Sequence, residues 1–103
     1  MDADALVDKL RGADRRSTGR SEEVVSDVLA EPALFGALVD AMTAPDAVVR
    51  MRAADAAEKV TRRRPDVLAP HKARLLDEMA AVNQQEVRWH VAQMLPRLAL
   101  TAA

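Results

Sequence analysis

Cysteine and tyrosine are absent from the 103 residues, and phenylalanine and tryptophan occur once each. Without Cys there is no disulfide and no thiolate chemistry, which fits a reducing compartment; the expected location is cytoplasmic. With so few rings, any core must come from close approach of thin helices. Glycine is scarce, at three residues, and β-branched residues form no alternating run that would read as a strand. No apolar run is long enough to cross a bilayer. The opening "MDADALVDKLRGADRR" holds no apolar stretch of signal-peptide length and carries acid near its front. An excess of charge of one sign is missing too: the formal net charge is −1, which argues against general binding of polyanions and leaves room only for a local basic face.

What is present is alanine, valine and leucine. Apolar residues make up 50% of the chain, enough for one domain over residues 1–103 with a modest core. Alanine is the best helix former and loses no side-chain entropy on folding. The composition reads all-helical.

The spacing predicts a short first helix over residues 4–10 with Leu6, Val7 and Leu10 inward, then a loop through "GADRRSTGR". Arg11, Arg15, Arg16 and Arg20 make this N-terminal stretch, residues 1–20, basic at its end. Ser21 is a cap candidate with Glu22 and Glu23 in the first turn, followed by the stripe Val24, Val25, Val28 and Leu29. Pro32 permits a new helix start, and Leu34, Phe35, Leu38, Val39 and Met42 give its apolar face. Thr43 is the cap candidate of a fourth helix over residues 46–63, with Asp46 three residues on as an acid in the first turn, Val49, Ala53, Ala56, Ala57 and Val60 inward, and Arg50, Arg52, Asp55, Glu58 and Lys59 placed elsewhere. Pro65 forces the residue before it out of helical geometry. Pro70 restarts a helix carrying Leu75, Leu76, Met79 and Val82. Asn83 and Glu86 have capping-box spacing ahead of a last helix with Val87, Val91, Met94, Leu95 and Leu98, which Pro96 kinks or ends.

The chain repeats itself. Moved by thirty-eight positions, Pro32 falls on Pro70, Leu38 on Leu76, Val49-Arg50 on Val87-Arg88, Ala54 on Ala92, Ala57 on Leu95 and Val60 on Leu98. A helix hairpin cannot bury its apolar face alone, so such units stack on each other.

"PDAVVRMRAADAAEKV" and "QQEVRWHVAQMLPRL" resemble the second helices of HEAT repeats. Asp46, Val49, Arg50, Ala53, Ala54 and Val60 match in the first unit, and Val87, Arg88, Ala92, Leu95 and Leu98 in the second. Met51, Trp89, His90, Pro96 and Gln84 depart from the pattern. The resemblance implies an all-α fold: a short right-handed α-solenoid of about two HEAT-like hairpins, spanning residues 21–63 and 64–100, behind an N-terminal capping helix. HEAT proteins mostly bind other proteins, and some bind nucleic acid.

Asp46, Arg50 and Arg88 are the expected stacking residues. Each guanidinium is placed to bond turns or acids of the adjacent unit, and Asp46–Arg50 has the spacing of a within-helix pair worth roughly 0.2–0.5 kcal/mol. Trp89 suits either a filler between helices or an exposed anchor at an interface, with His90 half-exposed beside it. Arg52 and the run Arg62-Arg63-Arg64 complete the candidate surface; that run suits a helix C-terminus, an acidic protein or a phosphate backbone.

No chemistry is signalled. His71 and His90 lack metal-ligand spacing. Ser17, Thr18, Ser21 and Ser26 have no nucleophile-elbow context. Glu22-Glu23 reads as first-turn acid, whereas glycosidase chemistry needs two carboxylates across a cleft. The expectation is a non-enzymatic protein–protein interaction or scaffold module with no cofactor, no metal and no membrane partner. The alternatives are a homodimerising structural or regulatory bundle and a weak nucleic-acid binder using the basic edge.

Overall fold

Asp46 sets the start of the longest helix. Its carboxylate accepts from the backbone N–H groups of Val48 (2.8 Å) and Val49 (3.4 Å), donors that a helix N-terminus leaves unpaired. Eighteen residues later Arg64 adopts φ −132° and ψ 70°, outside helical geometry, where the ring of Pro65 drives the residue before it. The helix between them, Ala47–Arg63, is the centre of the molecule.

The computed structural model describes residues 2–11, 18–79 and 81–100. Their α-helices are α1 (Ala3–Asp8), α2 (Thr18–Ala30), α3 (Phe35–Ala41), α4 (Ala47–Arg63), the single turn α5 (Lys72–Arg74) and α6 (Gln85–Met94). The 3-10 stretches Pro32–Leu34 and Pro65–His71 lead into α3 and α5, a π-helical turn Leu75–Met79 extends α5, and a 3-10 stretch Leu95–Leu100 follows α6. No described residue is in a strand. Arg15, Arg16, the side chains of Arg20 and Ser21, and the closing Thr-Ala-Ala lie outside the described residues.

The packing order is simple. Helix α2 lies against α4 and α4 against α6, while α1 lies against α3 and α3 against α4. The overall extents are 40 × 30 × 19 Å. The short axis matches two helices, each roughly 10 Å across. Alanine is what makes α4 central. Ala53, Ala54, Ala56 and Ala57 are all fully buried, so neighbouring helices approach its backbone closely and gain dispersion contacts without large side chains. Around it Leu6, Leu10, Val24, Val28, Leu38, Met42, Leu68, Leu75, Met79, Val87 and Met94 are sealed from solvent.

Several local expectations are corrected. Helix α2 begins at Thr18, so Ser21 lies inside it. The Thr43 hydroxyl donates back to the Asp40 carbonyl and leaves the cap of α4 to Asp46. Helix α6 starts after Gln84, which has no side-chain cap bond; the Asn83 box does not define its start. Pro96, by contrast, does one of the two things expected of it and ends α6, which stops at Met94. It sits early in the 3-10 stretch, where its missing N–H costs little.

The second unit departs most around Pro70, which lies inside a 3-10 stretch, so that α-helical geometry resumes only at Lys72. The wider π turn that follows points Leu75 and Met79 inward. It leaves Leu76 47% exposed, where its counterpart Leu38 is fully buried.

Candidate interaction surface

Arg50 reaches across the joint between α4 and α6. Its Nη1 donates to the carbonyls of Ala44 (2.8 Å) and Pro45 (3.0 Å), and its Nε donates to Oε1 of Gln84 (2.9 Å). The Gln84 amide donates in turn to the Ala47 carbonyl (3.0 Å). The guanidinium thus closes the turn before its own helix and fastens the start of the next. Its planar fork supplies directed donors that a lysine lacks. The Asp46 carboxylate caps α4 and is not the partner of the Arg50 guanidinium. Arg88, at the matching place in α6, is exposed, and its side chain makes no hydrogen bond or ion pair among the described residues. Replacing Arg50 with Ala is expected to cost about 1.5–3 kcal/mol, the worth of bonds made by a charged group. The Arg88→Ala change should stay within about 0.5 kcal/mol; urea unfolding of the two variants makes the comparison.

Sequence reasoning missed the polar cluster at the far end of α4. Glu58, expected off the inner face, is 2% exposed. Its Oε1 accepts from Arg62 Nε (2.8 Å) and Arg97 Nη2 (3.3 Å). Arg97 Nη1 also donates to the Glu58 carbonyl (3.1 Å) and to Thr61 Oγ1 (3.0 Å). Glu58 Oε2 is enclosed without a partner. The available signal was the spacing: Arg50, Ala54 and Glu58 form one i, i+4, i+8 row, and the α6 layer covers that row.

The basic candidates divide. Arg62 is held by Glu58. Arg64 forms a two-bond pair with Asp66 (2.9 and 2.8 Å), which raises the guanidinium and lowers the carboxyl from their ordinary values, chiefly through those hydrogen bonds. Arg52 donates to the Leu10 carbonyl (3.0 Å) and ties α4 to the end of α1. Arg63 is exposed and lines a shallow depression with Ser26, Leu29, Ala30 and Arg64. On the neighbouring flank Lys59 bonds Glu22 (3.0 Å) and Asp55 (3.1 Å). Burial opposes the Lys59 charge, but those two partners outweigh it and raise its pKa.

Trp89 is 63% exposed. Its ring stacks on His90 with centroids 5.7 Å apart and planes at 29°. His90 Nε2 lies 3.8 Å from Asp55 Oδ1, and its Nδ1 is enclosed without a partner. The other histidine has different company: His71 meets the Phe35 ring edge-on at 5.5 Å. Burial lowers the His71 pKa, and Arg74 lowers it further against the pull of Asp40. The unfolded chain therefore takes the proton first. Stability is fully present above the ordinary histidine value and falls as pH drops through the lower folded value. Thermal melts from about pH 8 to about pH 5 should show this slope, and His71→Gln should flatten it.

Among the described residues, no group of three or more His, Cys, Asp or Glu side chains could hold a metal ion. No helix of the described residues is long and apolar enough to cross a membrane. No family model, curated protein or solved structure matches the chain.

Proposed function

We propose that the chain is a HEAT-like protein–protein interaction or scaffold module, non-enzymatic and built as a short right-handed α-solenoid. Three features support the reading. The second helices pack in the order α2, α4, α6. Arg50 bonds the turn before α4 and Gln84 at the start of α6, at one end of the joint between them. The thirty-eight-residue offset pairs α3–α4 with α5–α6 and leaves α1–α2 as the leading pair.

The observation that carries the function is Trp89, the one tryptophan, left 63% exposed on α6. A large exposed ring stacked on His90 offers a broad apolar anchor with few rotatable bonds to order on binding, and such aromatics dominate interface energetics. The basic run favours a phosphate backbone less, because Glu58 and Asp66 already engage two of its three guanidiniums.

The test is capture of partners from the protein's own cells by the wild-type chain and by Trp89→Ala, with mass-spectrometric identification. A partner retained by the wild type and lost by the variant, at unchanged circular dichroism, supports the reading. Identical sets from both would refute it.

A further inference from the structure

Two large apolar side chains stand exposed among the described residues: Trp89 on α6 and Leu76 in the π turn after α5. Leu76 is 47% exposed and lines a depression with Ala69, Pro70, Lys72, Ala73 and Asp77. Ala69, Pro70 and Ala73 are exposed as well, so one large apolar side chain lies beside a hollow floored by small ones. Lys72 and Asp77 are exposed, and neither side chain makes a hydrogen bond or ion pair among the described residues. The neighbouring charges are taken: Arg74 is bound by Asp40 and Glu78, and Arg64 by Asp66. The undescribed residue that follows Met79 is an alanine and adds no charge.

We infer that this patch binds a second copy of itself, the two segments meeting antiparallel about a two-fold axis midway between Ala73 and Leu76. In such an isologous contact, if one residue meets another, the second meets the first by symmetry. Each Leu76 then enters the hollow over Ala73 of the second copy, large side chain against small. The same register sets each Lys72 opposite Asp77 of the second copy. Size and charge thus select one register independently, and the patch carries both halves of each match. Both patches are used up in the contact, so association closes at two. The contact is small, which makes the dimer weak and confined to high protein concentration. It lies apart from Trp89 and does not depend on the partner proposed for that ring.

Sedimentation velocity of the full chain, from low micromolar to millimolar concentration, tests this, with circular dichroism to verify folding. The wild-type mass should rise with concentration and stop at two copies. Leu76→Asp, at an exposed position, should leave a monomer throughout. Lys72→Asp and Asp77→Lys each set like charges face to face at both symmetric contacts and should weaken association roughly tenfold. The double variant Lys72→Asp/Asp77→Lys restores opposite charges and should recover most of that loss. Trp89→Ala should dimerise as the wild type does. A wild type that stays monomeric at every concentration overturns the inference, and so does growth past two copies. A dimer that survives Leu76→Asp, ignores both charge reversals or is lost with Trp89→Ala overturns it equally. Capture of a different protein through Trp89 is a separate readout and stands or falls without this result.

Discussion

Replacing Arg97 with alanine is expected to lower the unfolding free energy by about 3 kcal/mol, the lower end of the range for removing one partner of a buried ion pair. The lower end applies because Arg62 remains on Glu58. What disappears is every bond that Arg97 makes to α4: to the Glu58 carboxylate, to the Glu58 carbonyl and to Thr61 Oγ1. Glu58 stays 2% exposed with one oxygen unpartnered, so the buried negative charge is left more poorly compensated. The effect is large beside a typical total stability of about 5–15 kcal/mol. Arg97→Lys should rescue little, since a single ammonium cannot reproduce the planar fork that reaches these oxygens. Replacing the pair together with apolar residues, Glu58→Leu with Arg97→Met, should cost much less than Arg97→Ala alone, because no charge is left buried. Urea unfolding of the three variants measures all of this.

The second large effect concerns size. Ala54→Leu is expected to cost about 2 kcal/mol, within the range for overpacking a filled interior. Ala54 is completely buried on the flank that α6 covers, and a larger side chain there pushes two helices apart along their joint. For a domain of this size about 2 kcal/mol corresponds to a loss of roughly 10 °C in Tm. Ala92→Leu, at the matching place on α6, should shift Tm by no more than a few degrees, since Ala92 faces solvent. The contrast separates packing from the intrinsic helix preference of leucine, which is common to both sites.

The residues that announced their structure were those whose effect is local. Pro65 ended the helix before it through the geometry of Arg64, whereas the cap of that helix, expected at Thr43, belongs to Asp46. The apolar stripes of α2, α3 and α4 were legible because helical period alone decides which residues face inward. What was not legible depended on neighbours far along the chain. Glu58 resembled an outward charge until α6 and Arg97 covered its flank. Leu76 resembled an inward residue until the π turn changed its direction. Gln84 resembled a departure from the repeat pattern and proved to be the partner of Arg50. Trp89 had two rival placements because an exposed ring and a buried one leave the same mark in a sequence of this composition. Of the basic run, only the last-turn position of Arg62 and Arg63 was readable. The pairing of Arg64 with Asp66 depends on how the chain turns at Pro65.

The central claim is that α4 is the axis of the molecule, flanked by α2 and α6, so that its middle opens only when the whole chain unfolds. Native-state amide hydrogen exchange measures this directly. The amides of Ala53, Ala54, Ala56, Ala57 and Val60 should exchange slowest of all, with an opening free energy equal to that of global unfolding. Faster exchange there than in α2 or α6 would contradict the account.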